Sequence, residues 1–206
     1  MKNYKNLFLA LICSLFISGA FSQSLVRFYS NAKVGYKNTK GEVIVQPNYD
    51  AGSDFYEGYA LIISSNKRGF IDSSGKVVIP MIYEDASVFF NGLARVSVDK
   101  KSGYINKKGE TVIPFDYDYA DDFINGIALV QKDGNYGFID EKGNVVIPII
   151  YKGLRRYSEG LAAAKLDKWG FIDSKGKYSI PALYDNAVMF KNGNAIVMLM
   201  NKAFYI

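Results

Sequence analysis

The stretch "LARVSVD" alternates, with Ala94, Val96 and Val98 on one side and Leu93, Arg95 and Ser97 on the other. A period of two predicts a strand with one covered face. The preceding pattern differs. In "GFIDSSGKVVIPMIY", which starts at Gly69, two short apolar runs flank a polar turn. Asp72 starts that turn and Gly75 supplies positive φ at the bulge of a short hairpin loop. Pro80 is expected to end the second run, because it has no N–H to continue a ladder. The linker from Tyr83 to Gly92 is polar with two aromatics, Phe89 and Phe90, and has room for a helical turn. Three short strands are thus predicted between one Gly69-type residue and the next.

The same pattern returns at a fixed interval, and such periods are the mark of repeat architectures. Gly35, Gly69, Gly103, Gly137 and Gly170 open similar stretches at spacings of 34, 34, 34 and 33 residues. Each is followed by a second glycine (Gly41, Gly75, Gly109, Gly143, Gly176) and by a proline (Pro47, Pro80, Pro114, Pro148, Pro181). A tyrosine, an aromatic, a third glycine and an alanine complete each unit, as in Tyr117, Phe123, Gly126 and Ala128. "LVRFYSNAKVG" from Leu25 matches a third strand and "FYI" at the end matches a first strand, so half-units flank five full ones. The expected fold is all-β: five three-stranded β-meander units of about 34 residues with terminal half-units. They are arranged as an open, solenoid-like stack, with a closed propeller-like ring as the alternative. A single such unit cannot bury enough apolar surface alone, so the core must lie between units.

Composition adds a compartment and removes several chemistries. Lys2 and Lys5 precede the uncharged run "LFLALICSLFISGAF", and small residues near Ser22 suit a signal peptidase. Residues 1–22 are read as a signal peptide and residues 23–206 as the repeat array, placing the protein in the periplasm, at the cell surface or outside the cell. Stable membrane insertion after cleavage is not expected. Loss of Lys2 and Lys5 lowers the formal charge from +5 to +3, with basic and acidic residues interspersed, which argues against a nucleic-acid partner. The chain has no His, and its one Cys, Cys13, lies in the leader. With no nucleophile motif, phosphate loop or metal-ligand cluster in the array, no enzyme activity and no cofactor are expected.

The residues "DKWGFIDSKGKYSIPALYD" from Asp167 to Asp185 resemble the WG-repeat family of bacterial tandem repeats, and the resemblance covers about residues 25–206. The tryptophan of the motif is present only as Trp169; Arg68, Ser102, Tyr136 and Ala203 stand in its place elsewhere. The resemblance implies a β-rich, often exported fold without shared catalytic machinery.

Residues present in every unit are needed to build every unit, so Tyr83, Tyr117, Tyr151, Phe89 and Phe123 are assigned to the core. Aromatics that break the pattern are the candidate surface contacts: Tyr56, Tyr59, Phe90, Tyr119, Tyr136 and Trp169. The acidic run Asp116, Asp118, Asp121 and Asp122 lacks the glycine and closing glutamate of an EF-hand loop, so no metal site is assigned to it. Asp121 and Asp122 instead hold the positions of Arg155 and Arg156 one unit later, and these pairs are expected to meet across a repeat boundary. Asp72, Asp140 and Asp173 are read as turn residues. The function expected is a noncatalytic binding or scaffold module for a protein partner, with binding of a cell-wall or extracellular glycan as the alternative.

Overall fold

A computed structural model describes residues 25–206; the leader assigned to residues 1–22 lies outside the described residues. Every regular element described is a β-strand. The first sheet contains β1 (Val26–Ser30), β2 (Lys33–Lys37) and β3 (Val43–Tyr49). The second contains β4 (Ala51–Gly52), β5 (Tyr59–Ser64), β6 (Lys67–Asp72) and β7 (Val77–Tyr83). The third repeats this with β8 (Asp85–Ala86), β9 (Leu93–Val98), β10 (Lys101–Asn106) and β11 (Thr111–Tyr117). The fourth has β12 (Tyr119–Ala120), β13 (Ile127–Lys132), β14 (Asn135–Asp140) and β15 (Val145–Tyr151). In the fifth are β16 (Gly153–Leu154), β17 (Ala162–Lys165), β18 (Trp169–Ile172) and β19 (Tyr178–Tyr184). The sixth holds β20 (Asn186–Ala187), β21 (Ile196–Leu199) and β22 (Lys202–Tyr205). Each sheet is an antiparallel meander in chain order.

The sheets are out of phase with the sequence repeat. Glu84 alone separates β7 from β8, so one extended segment closes the second sheet and opens the third. The expected three-stranded unit is therefore a four-stranded sheet in the middle of the array. The linker expected to have room for a helical turn instead supplies a two-residue strand and a tight turn. In that turn Tyr56 and Tyr59 form a bridge around Glu57 and Gly58, both at positive φ (50° and 89°). Left-handed pairs of this kind match the twist of the flanking strands.

The recurring proline does not end its strand. Pro80 sits inside β7, on the edge of its sheet, where a missing N–H breaks no ladder and discourages pairing with another chain. Between Arg68↔Tyr83 and Phe70↔Ile79 the register shifts, so Pro80, Met81 and Ile82 bulge opposite Gly69. A Cβ on Gly69 would stand 2.6 Å from the Ile79 carbonyl oxygen and 2.8 Å from the Pro80 carbonyl carbon. The unit glycine thus exists for close approach of two backbones.

The hairpin turn follows the expectation. Gly75 has φ +85°, and the Asp72 carboxylate accepts hydrogen bonds from the backbone N–H groups of Ser74 and Lys76. Asp140 and Asp173 make the same bonds.

The core lies between sheets. Among the described residues five hydrophobic clusters each join one sheet to the next, and none of them joins the sixth to the first. The stack is open in that sense. At every boundary an aromatic from one sheet meets the lead-in aromatic of the next: Phe70 and Phe89 lie 4.8 Å apart, Tyr104 and Phe123 4.6 Å, and Phe171 and Phe190 4.9 Å. Such pairs contribute about 0.5–1.5 kcal/mol beyond their buried area. Tyr83, Tyr117, Tyr151, Phe89 and Phe123 are buried, as are Ala60, Ala94, Ala128, Ala162 and Ala195. The central strands are covered on both faces, which is why Leu129 and Ala163, on the side opposite Ala128 and Ala162, are buried too.

Candidate functional site

The lead-in turns place one side chain per sheet at the surface. Tyr56, Phe90 and Ile124 occupy equivalent positions before these turns and are 49%, 55% and 47% exposed. Ser158 and Lys191 take the position in the last two sheets, so the apolar row ends after three. Their bridge partners Tyr59, Leu93 and Ile127 are half-buried beneath them. At the end of the row, Ile124 and Ile127 border a hollow of about 140 Å³ that Leu129, Phe138 and Tyr157 also line, with Asp122 and Arg156 at its polar side.

The six aromatics singled out from the sequence fall into two sets. Tyr56, Phe90 and Tyr119 are exposed. Tyr59, Tyr136 and Trp169 are half-buried at sheet boundaries: Tyr59 lies 5.1 Å from Phe89, and the Arg155 guanidinium covers the Trp169 ring at 5.2 Å. The exposed aromatics do not form one line, because Tyr119 lies on the short strand β12 rather than at a lead-in turn.

The acidic run is dispersed onto four basic side chains. Asp116 meets Lys132 at 3.7 Å, Asp118 meets Lys101 at 2.5 Å, and Asp122 lies 3.8 Å from Arg95. Asp121 takes a forked contact from Arg156 across the boundary between the fourth and fifth sheets. The acidic and basic pairs do meet across the boundary, but one residue out of the alignment: Asp121 contacts Arg156 rather than Arg155, and Asp122 turns to Arg95. Arg155 instead donates to the Ala187 carbonyl oxygen. Among the described residues no group of three or more His, Cys, Asp or Glu is placed to hold a metal ion.

Burial pushes the Asp121 carboxyl up, but hydrogen bonds from Arg156 and Tyr119 outweigh it and leave the group below its ordinary 3.8. Asp85 is also held below the carboxylate range; desolvation opposes the shift and the Arg95 contact at 2.7 Å drives it. These carboxylates are ionised at neutral pH and already have cations against them.

A cavity of about 280 Å³ opens between the third and fourth sheets. Its floor is Ser97 and Ser102, paired directly across β9 and β10, and its walls are Asp85 and Arg95 on one sheet and Tyr119 to Asp122 on the other. The sequence does not announce this feature: Ser102 stands where the motif has tryptophan, but its pairing with Ser97 is set by the strand register.

A search of curated proteins finds no match. Among solved structures, Kluyvelomyces marxianus Hsv2 superposes with a TM-score of 0.49 at 8% identity, over 84% of this chain and 65% of that one. A eukaryotic initiation factor matches with a TM-score of 0.51 at 11% identity, over 89% and 59%. BamB from Moraxella catarrhalis gives 0.40 at 10% identity, over 88% and 66%. The chain thus spans less than two thirds of the first two proteins. These likenesses concern the fold alone, which is β-propeller-like in its succession of small antiparallel sheets. The model of the WG containing repeat matches five times in tandem, at residues 35–67, 69–101, 103–136, 136–168 and 169–202. Motif, period and sheet succession agree, and the chain belongs to the WG containing repeat family.

Proposed function

We propose that the protein is a noncatalytic, exported binding module that docks a protein partner along its lead-in turns. The observation that carries this reading is the row Tyr56, Phe90 and Ile124: three exposed apolar side chains on equivalent turns of consecutive sheets. Scattered exposed apolar residues are ordinary, but a row with a hollow at its end and polar residues around it has the anatomy of a protein interface. Glu57, Asn91 and Asn125 supply that polar surround. The hollow beside Ile124 would take an apolar anchor of the partner. A polysaccharide threaded along the array has less support, since Ile124 interrupts the aromatic series and Ser158 and Lys191 end it. Export rests on the charge and hydropathy pattern of residues 1–22.

The test is photo-crosslinking in the native cell envelope with a reactive side chain at Phe90 or, as control, at the exposed Ile150. A discrete protein adduct from position 90 only, lost when Tyr56→Ser and Ile124→Ser are added, is the expected result. Equal labelling from both positions, or none from either, would sink the reading.

A further inference from the structure

Each four-stranded sheet presents a row of four residues directly opposite one another toward the next sheet. In the second sheet the row is Ala51, Ile63, Arg68 and Tyr83. The fourth sheet has Tyr119, Gln131, Tyr136 and Tyr151, and the fifth has Gly153, Lys165, Trp169 and Tyr184. The two central positions therefore carry long or bulky side chains in each of these sheets. The third sheet differs. Its row is Asp85, Ser97, Ser102 and Tyr117, with the two smallest polar side chains at the centre. The cavity of about 280 Å³ lies where Arg68, Tyr136 and Trp169 stand in the other sheets.

The floor of this cavity is under-used. Ser97 and Ser102 are only 9% and 7% exposed. Neither hydroxyl has a hydrogen-bond partner among the described residues, and neither is sealed off from the cavity that both line. Both hydroxyls are thus open to the cavity, where a ligand's hydroxyl groups can take the place of water as their partners.

The walls define its chemistry. Asp85, Asp118, Asp121 and Asp122 line the cavity, and each faces a cation: Arg95, Lys101, Arg156 and Arg95 respectively. Arg95 serves two of them and Lys100 also lines the cavity, so four carboxylates stand against four cations and a free ion gains little there. What remains is a set of fixed acceptors on the carboxylates, donors on Arg95, and two open hydroxyls. At the rim Tyr119, 46% exposed and anchored through its hydroxyl to Asp121, offers a ring face. Dense donors and acceptors without net charge, beside an aromatic face, suit a compact ligand rich in hydroxyl groups.

We infer that the notch over Ser97 and Ser102 is a binding site for one neutral sugar unit. Its floor hydroxyls and the Asp85–Arg95 and Asp122 groups take the sugar hydroxyls, and Tyr119 covers its apolar face. The site is separate from the Tyr56–Phe90–Ile124 row and stands without it.

The experiment uses the chain from residue 23 onward with a panel of neutral methyl glycosides (glucoside, galactoside, mannoside and N-acetylglucosaminide) at millimolar concentration. Backbone amide NMR shifts are the readout, with inorganic phosphate and choline as charged controls. Saturable shifts at Ser97, Ser102 and Tyr119 with at least one glycoside are expected. Ser102→Tyr, the residue type at position 136, should abolish them by filling the notch. Ser97→Ala with Ser102→Ala should weaken binding by about tenfold or more while keeping the fold, which covers the case of a misfolded Tyr variant. Absence of shifts at these residues across the panel would overturn the proposal. So would shifts indifferent to both variants, or shifts caused only by phosphate or choline. Glycoside shifts confined to Tyr56 and Phe90 would also overturn it, and the photo-crosslinking result would still decide the protein-docking reading by itself.

Discussion

Arg156 forks onto Asp121 across a sheet boundary, its Nε 2.7 Å from Oδ2 and its Nη2 2.6 Å from Oδ1. The two residues are 35 positions apart, about one repeat, so a register slip between the fourth and fifth sheets would break the contact. Asp121→Ala should lower stability by about 1–2 kcal/mol, the lower part of the range for charge-assisted bonds, because half-exposed Arg156 can be rehydrated. A denaturant midpoint with an unchanged slope would measure it. An unaltered midpoint would reduce the contact to a surface coincidence.

The same carboxylate gives a pH dependence with a definite sign. Its folded-state pKa lies below the ordinary 3.8, so the fold favours the ionised form. The resulting stability is present in full above the ordinary value and is lost as pH falls through the lower folded value. Asp50, Asp85, Asp118 and Asp185 are shifted in the same direction, all with cations against them. The denaturation midpoint should therefore hold from neutral pH to about pH 5 and fall as the pH is lowered further toward about 2, and Asp121→Asn should reduce that fall.

Gly137 faces the bulge of β15 as Gly69 faces that of β7. A Cβ there would stand 2.6 Å from the Ile147 carbonyl oxygen and 2.9 Å from the Ile149 Cα. Gly137→Ala should cost about 1–3 kcal/mol as the bulge is forced outward. Thermal denaturation checks it, with Gly126→Ala as a useful contrast, since no atom lies within 4 Å of a Cβ there and only its positive φ of 80° is strained.

Ala128 is buried in the cluster that joins the third and fourth sheets, among Tyr104, Ile113 and Phe123. Ala128→Leu should overpack that boundary and lower stability by about 1–3 kcal/mol. An unchanged midpoint would mean that the boundary can open without loss.

Because clusters join only consecutive sheets, damage should remain local. Phe190→Ala removes the ring that meets Phe171 between the fifth and sixth sheets. Hydrogen exchange should accelerate in β18 and β21 and be nearly unchanged in β1 to β3. Faster exchange throughout would show coupling from one end of the array to the other.

Much of this architecture was legible in the residues, for reasons that can be named. The 34-residue period, the turn aspartates and the buried aromatics are local or strictly recurrent, and aligning neighbouring units brings Asp121 and Asp122 near Arg155 and Arg156, although the contact that forms is one residue out of that alignment. Three features escaped. The two-residue strand Asp85–Ala86 is too short to show periodicity, and its partner is chosen by the strand-to-strand pairing with Ser97. Pro80 was expected to stop its strand, but at a sheet edge and opposite Gly69 it has no such effect. The notch over Ser97 and Ser102 became visible only when register set those two serines opposite one another.

The single residue between one sheet and the next, such as Glu84 between β7 and β8, has a consequence for how such chains change length. Every 34-residue segment supplies the end of one sheet and the start of another. An in-frame duplication, wherever its endpoints fall within the period, therefore adds one whole sheet whose two contacts are already of the existing kind. Unequal recombination can lengthen or shorten the array like a ruler, in whole steps, while a specialised sheet such as the third keeps its own row of side chains intact.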